Sequence, residues 1–440
     1  MGKGYIITVI GLGKLGLPTA LSFAKAGFKV WGVEIDKTRL TKLKEGISPI
    51  YEPGVQEYLN KYGSTLTLTD KIQEAIMNSD VAFVIVPTPS EEDGTFSLKF
   101  VIPVIEKIGE ALREKSEFFV VTIVSTITPL SIDKKIKPLL EKVSGKKCGF
   151  DFGLCYNPEF VALGSVLANF ENPDFVLIGE SDKKSGDRVE FIHKQVCKNS
   201  PKVMRMNFVN AEITKLALNT YVTTKISYAN MLARICEKIE GADVDVVTEA
   251  LGLDKRIGGR YLKGGLGYGG PCFPRDNRAL SSFAKKINLD IVLPDIIDIF
   301  NKNQPHYIVS IIERYLTNRN DLVGIIGITY KSNTDVTEES QGLKIMDVLK
   351  SVGIGVVVFD TIPKQNLRAD IKFIDDFQEF VKQCKILILT VASDEFKKLI
   401  VENMDILRTQ EKIIIDCWRF LKNVEFPANV KYIKLGVGYI

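Results

Sequence analysis

The chain is 440 residues long, 45% apolar and 25% charged, with a formal net charge of +4, which predicts a globular protein of two or three domains, each large enough for its own core. Its charges come in mixed-sign runs such as DKKSGDR, so neither a basic stripe for nucleic acid nor a polybasic anchor is built, and no nucleic-acid partner is expected. The longest apolar runs, VAFVIV and FFVVTIV, are strand-sized and far short of the ~20 residues that cross a bilayer, so no membrane partner is expected either.

The opening 36 residues predict one unit: a strand YIITVI, a turn GLGKLG, a helix from Leu15 to Ala26, and a second strand KVWGVE that ends at an acid. In the turn, Gly11 makes the tight bend, Gly13 lets a pyrophosphate approach the main chain, and Gly16 lets the helix lie close on the strand; Leu12 and Leu15 belong to the same loop. A GxGxxG alone is weak, but here strand and helix flank it and Glu34 follows eighteen residues beyond Gly16, the pattern of a dinucleotide site. Glu34 in that place hydrogen-bonds a ribose 2′-hydroxyl and repels a 2′-phosphate, so NAD rather than NADP is the expected cofactor; the plainer alternative is a solvated acid at a strand end. Arg39 could pair a 2′-phosphate or stack on adenine. Gly11 and Gly13 also break the first apolar stretch, and no small-residue cleavage site follows, so no cleaved signal and a cytoplasmic location are expected.

Strands DVAFVIVPTP (80–89) and FFVVTIVST (118–126) continue a parallel sheet covered on both faces. Thr88, Ser125 and Thr126 fall at strand ends, where a dinucleotide passes, or are ordinary turn residues. After GLCYNPEF and PDFVLIGE comes a long helix over about 211–239. Its apolar residues Ile213, Leu216, Leu218, Tyr221, Ile226, Met231 and Ile235 cover more than one face, which predicts burial between domains or subunits and a homodimer or higher homo-oligomer. Lys215 and Asn219 share one side of it.

The segment GGLGYGGPCFPRDN (264–277) holds five glycines and two prolines; it predicts a shaped main-chain cup that presents Cys272, with its glycines turned toward a ligand. An inert thiol in a surface turn is the alternative. The last third repeats the opening grammar: strand DLVGIIGITY (321–330), a helix over about 339–352, strand GVVVFD ending at Asp360, then KILILTV and KIIIDC. The expected fold class is α/β, two doubly wound Rossmann-like domains joined by a long central helix, divided as 1–205, 206–305 and 306–440.

Seven cysteines at irregular spacing, with no CxxC pair, fit neither a disulfide framework nor a zinc site, so no metal is expected. The two histidines, His193 and His306, lie near no other plausible ligand or nucleophile, which leaves acid and base work to Lys, Asp, Glu or Cys. A nicotinamide site together with a cup-held thiol points to oxidation through a covalent thio-intermediate: the thiolate adds to an aldehyde, hydride leaves to NAD, and water cleaves the thioester. Plainer readings exist at each position, with Lys215 a snorkelling surface lysine, Asn219 a helix-face hydrogen bonder and Asp276 the N-cap of NRALSSFAKKI.

Nine stretches, GLGKLGLP, SPIYEPGVQEYL, VPTPSEEDG, VSTITP, NPEF, NPDFVLIG, EITKLALNTYVTTKISYAN, GGLGYGGPCFPRD and GITYKSNTDVTEES, resemble in order the UDP-glucose/GDP-mannose dehydrogenases, NAD-dependent enzymes that oxidise the C6 alcohol of a nucleotide sugar. The resemblance implies an NAD-binding first domain, a central dimerisation region that carries the cysteine, and a C-terminal domain that binds the UDP-sugar. It implies Cys272 as nucleophile, Asp276 as its acid/base partner, and Lys215 with Asn219 as the pair that stabilises an alkoxide at C6. It further implies that Glu159 with Thr126 activates water, and that Phe160, Arg256, Tyr261, Gly269 and Lys331 hold the sugar and diphosphate, the arginine from a second subunit.

Departures from the family pattern bear on the sugar. Leu163 in NPEFVALG stands where glucose-type members carry a second glutamate, which N-acetylhexosamine-type members also lack; Glu338 replaces a cofactor-side arginine, Arg275 a lysine, and DCWR stands for DGR, with Arg419 a candidate replacement for the substrate contact. UDP-glucose is the expected substrate, with UDP-N-acetylglucosamine and UDP-N-acetylmannosamine as alternatives. Two rivals are a hydroxyacid dehydrogenase without covalent chemistry and a non-catalytic NAD or nucleotide-sugar sensor.

Overall fold

The computed structural model describes residues 4–318, 320–362 and 367–438. The chain divides into two compact units, Met1–Ala217 with Ser282–Ile287, and Leu218–Ser281 with Asn288–Ile440.

The first unit is built on eight strands: β1 (Ile6–Ile10), β2 (Lys29–Val33), β3 (Leu66–Thr69), β4 (Val81–Val84), β5 (Phe119–Ile123), β6 (Phe152–Tyr156), β7 (Phe175–Glu180) and β8 (Lys202–Met206). Their spatial order is 3-2-1-4-5-6-7-8. The first six form the doubly wound arrangement whose switch point, between β1 and β4, is where dinucleotides bind. The sheet is parallel except where β6 meets β7, a reversal not foreseen in the sequence. Period-two burial explains why these runs read as continuously apolar. Ile7, Val9, Val81 and Phe83 point into one core layer, and Ile10, Ala82 and Val84 into the other, so both faces are covered and no polar alternation survives.

The second unit carries an all-parallel sheet of β9 (Val323–Ile326), β10 (Val356–Phe359), β11 (Ile386–Leu389), β12 (Lys412–Asp416) and β13 (Val430–Lys434), in the order 10-9-11-12-13. This is the other common doubly wound order. Ile386, Ile388, Ile413 and Ile415 face one layer, while Leu387, Leu389 and Ile414 face the other. β13 went unread in the sequence because an edge strand written VKYIK is only half apolar. The second sheet also repeats the first one's opening latch. Gly327 (φ +91°) donates to Phe359 O and Ile328 N–H donates to Asp360 Oδ2 at 2.6 Å, as Gly11 (φ +93°) and Leu12 N–H do with Val33 O and Glu34.

The long helix runs Phe208–Cys236, and a turn takes over before Ile239. Ile213, Tyr221, Met231 and Ile235, expected to be buried, are 39–62% exposed on the single chain.

Candidate active site

Within the first unit the glycine turn is set by contacts rather than by composition. A Cβ at Gly11 would stand 2.4 Å from Ile85 O, and one at Gly16 would stand 1.8 Å from Gly11 O, so neither position admits a side chain. Gly13 differs: nothing lies within 4 Å of its missing Cβ, which leaves that side of the turn open. The helix Gly16–Lys25 starts after Leu15 with no side-chain cap; Leu17 N–H donates to Gly13 O (3.1 Å) and Pro18 has no N–H, which leaves Gly16 to offer a helix-start N–H to an anion. Glu34, 5% exposed, accepts from Leu12 N–H (3.1 Å) and Asp36 N–H (2.9 Å). Its two oxygens still have lone pairs for a ribose hydroxyl. An open glycine, an uncapped helix start and a carboxylate at the β2 end together fit an NAD. Arg39 is exposed on the next helix, its N–H on the capping Asp36 (3.1 Å). At the neighbouring strand ends, Thr88 Oγ1 donates to Thr126 O (2.7 Å) and Ser125 Oγ bonds both Val86 N and Val86 O, tying the loops after β4 and β5 together.

The same unit gathers Glu159, Phe160 and Lys215. Lys215 is only 7% exposed; its Nζ donates to Glu159 O (2.7 Å) and lies 4.6 Å from the Phe160 ring centre. It is therefore no snorkelling surface lysine. Burial pushes the Glu159 carboxyl up to about 7, against the pull of the Lys215 charge, so this group changes charge near neutrality. Two supports escaped the sequence reading. Glu52, in the SPIYEPG stretch, accepts from Gly164 N (2.8 Å) and Val166 N (2.9 Å) and so fixes the loop that follows Phe160. Glu212, three residues before Lys215, accepts from Leu130 N (2.7 Å) and Ile132 N (2.9 Å) and ties the long helix to the loop that follows Thr126.

Within the second unit, Cys272 directly precedes the helix Phe273–Lys286. Asp276 N–H donates to Cys272 O (2.8 Å), which places Asp276 in the first turn and corrects its reading as an N-cap. Asp276 is 1% exposed and accepts from Asn219 Nδ2 at 2.5 Å. None of the seven cysteines is in a disulfide; six are buried and Cys272 alone is exposed. Burial raises the pKa of the other six thiols, which keeps them protonated and inert.

The glycines of the cup do not face outward as expected. Cβ atoms at Gly264, Gly265, Gly267, Gly269 and Gly270 would stand 2.2–2.8 Å from Ala229 O, Cys417 O, Asn301 Oδ1, Glu339 O and the Tyr330 ring. The run is glycine-rich because protein closes on it. Arg419 is likewise absorbed: 3% exposed, it spends its donors on Asp245, Gly264 O and Leu435 O at 2.6–2.8 Å. Tyr261 (φ +63°) is exposed, with its ring edge-on to Phe273. Arg256, 88% exposed, pairs with Asp254, and Lys331 lies 5.9 Å from the Tyr330 ring centre.

Profiles for three domains of one family match in order: the NAD binding domain over residues 5–197, the central domain over 209–303 and the UDP binding domain over 324–423. The UDP-glucose 6-dehydrogenase AglM of Haloferax volcanii is 31% identical over 426 residues, 95% of this chain and 98% of that protein. The chain belongs to the UDP-glucose/GDP-mannose dehydrogenase family. Its structure resembles a UDP-glucose dehydrogenase from Pyrobaculum islandicum (TM-score 0.87, 28% identity, 99% of each chain). It also resembles a UDP-D-ManNAc dehydrogenase from Pyrococcus horikoshii (TM-score 0.83, 26% identity, 98% of this chain and 99% of that one). This member of the UDP-glucose/GDP-mannose dehydrogenase family is an NAD-dependent oxidoreductase of the nucleotide-sugar 6-dehydrogenase type. No helix among the described residues is long and apolar enough to cross a membrane.

Proposed function

We propose that the chain oxidises the C6 alcohol of UDP-glucose to the carboxylate through a covalent intermediate on Cys272. The observation that supports this most is the contrast among the thiols: six are buried, and the exposed one opens a helix, where main-chain N–H groups favour a thiolate. Bound NAD supplies the hydride acceptor, one molecule for each of two oxidations.

Lys215 and Asn219 stabilise negative charge on the C6 oxygen as its proton passes to Asp276 and the first hydride departs to NAD. The Cys272 thiolate adds to the aldehyde carbon; a C–S bond forms, the carbonyl pair moves to oxygen, and Asp276 delivers the proton that gives a thiohemiacetal. Loss of that proton and of the second hydride leaves a thioester. Glu159, aided by Thr126, takes a proton from water as the water oxygen attacks the thioester carbon; the C–S bond breaks, and carboxylate and thiol separate. Phe160, Tyr261, Lys331 and the main chain of Gly269, whose missing side chain would point at Glu339 O, hold the sugar and diphosphate. Arg256 serves a second copy of the chain in a homo-oligomer, an assignment supported by its exposed side chain and by exposed Tyr221, Tyr228 and Ile235 on the long helix.

A second reading, a UDP-N-acetylhexosamine substrate, is favoured by Leu163 in NPEFVALG and by the likeness to the UDP-D-ManNAc dehydrogenase. Purified protein is to be offered UDP-glucose, UDP-N-acetylglucosamine, UDP-N-acetylmannosamine and GDP-mannose with NAD, and NADH read by absorbance. Two NADH per UDP-glucose consumed supports the proposal. Turnover of an N-acetyl sugar alone moves the assignment to the second reading, and no NADH with any sugar returns it to a sensor.

A further inference from the structure

Tyr268 sits four residues before Cys272 and is 4% exposed. Its peptide is gripped as a strand would grip it: Asn301 Oδ1 accepts Tyr268 N–H (2.8 Å), and Asn301 Nδ2 and Gln341 Nε2 both donate to Tyr268 O (3.0 and 3.1 Å). Its phenol accepts from Asn277 Nδ2 (3.0 Å) in the first turns of the cysteine helix, and Asn277 Oδ1 accepts from Thr223 on the long helix (3.0 Å). Its ring stands edge-on to Phe273, at 6.4 Å and 88°. Asn277 is the neighbour of Asp276, which Asn219 holds at 2.5 Å. One tyrosine thus joins the clamped glycine run to the residue that follows each member of the reactive pair: Phe273 after Cys272 and Asn277 after Asp276.

We propose that Tyr268 is a positioning residue for the reaction, its hydroxyl fixing the start of the cysteine helix and hence the direction in which Cys272 and Asp276 are presented. The inference rests on Cys272 being the nucleophile. Removing the phenol oxygen leaves the ring and the Asn301 clamp in place but takes the acceptor from Asn277, which is fully buried, so the helix start gains freedom without loss of a core side chain. A displacement of about 1 Å at a reacting group costs on the order of 100-fold in rate.

The test compares Tyr268→Phe with the native enzyme and with Cys272→Ser. Steady-state kcat and KM for UDP-glucose and NAD, the melting temperature, and the pH profile of iodoacetamide alkylation are measured. Because the other six thiols are buried, alkylation of the folded enzyme reports Cys272. The expected result for Tyr268→Phe is a fall in kcat of about 10- to 100-fold, KM for NAD within twofold, and an alkylation profile displaced to higher pH, with a melting temperature lowered by only a few degrees for the donor left unpaired on Asn277. A variant with kcat within about twofold of native and an unmoved alkylation profile overturns the inference. So does a kcat loss that tracks the melting temperature with the profile unmoved, since that is stability alone. If Cys272→Ser itself turns over normally, the covalent reading fails whatever Tyr268→Phe does; if Cys272→Ser is inactive, the Tyr268 result stands on its own.

Discussion

Asn219 on the long helix donates its carboxamide hydrogen to Asp276 Oδ2 at 2.5 Å, both groups being nearly inaccessible to solvent. A buried carboxylate that loses its donor pays the desolvation cost of its charge, so the two side chains work as one unit. Asn219→Ala and Asp276→Ala are each expected to lower kcat by two orders of magnitude or so, and the double variant to be little worse than either single one. Multiplying losses in steady-state kinetics would show that the pair acts independently.

Glu159 gives the reaction a pH signature. Its carboxyl is raised to about 7 by burial, so at pH 6 it is mostly protonated and cannot take a proton from water, whereas at pH 8 it is mostly ionised. The single-turnover rate of acid release is expected to climb through a midpoint near 7 and then level. Glu159→Gln should remove that rise and slow the step by about 10²- to 10⁴-fold. A native profile that falls with pH over this range contradicts the assignment.

The glycine turn separates folding from binding. Gly16→Ala drives a methyl onto Gly11 O, whereas Gly13→Ala meets nothing within 4 Å. Gly16→Ala is therefore expected to lower the melting temperature sharply, and Gly13→Ala to melt like native while its Kd for NAD rises at least tenfold, about 1.4 kcal/mol. Native NAD affinity in Gly13→Ala, by calorimetry, would move the pyrophosphate elsewhere.

Glu34 has two tasks, bracing Leu12 and facing the ribose. Glu34→Gln keeps an acceptor for Leu12 N–H but drops the charge, so NAD binding should weaken severalfold while discrimination against NADP shrinks further. The ratio of kcat/KM for the two cofactors reads this directly; an unchanged ratio would leave cofactor choice to Arg39.

Much of the fold was legible because both sheets are covered on two faces, which turns their strands into short apolar runs such as VAFV and ILIL. The β6–β7 reversal and β13 were not, since strand direction leaves no local mark and an edge strand mixes lysine with tyrosine. Within the candidate site, spacing alone placed Lys215 and Asn219 on one side of a helix. It could not place Asn219 against Asp276, 57 residues on, nor distinguish glycines that admit a ligand from those pressed on protein. Gly13 and Gly267 read alike in sequence; only the surroundings of their missing side chains tell them apart.

The most direct measurement is mass spectrometry of Glu159→Gln protein incubated with UDP-glucose and NAD, then quenched and digested. With hydrolysis slowed, the peptide that holds Cys272 is expected to carry the mass of the nucleotide sugar at the thioester level, and none of the other six cysteines should be modified. An unmodified Cys272 in protein that still forms NADH, together with normal acid formation by Cys272→Ser, would contradict covalent catalysis at this residue.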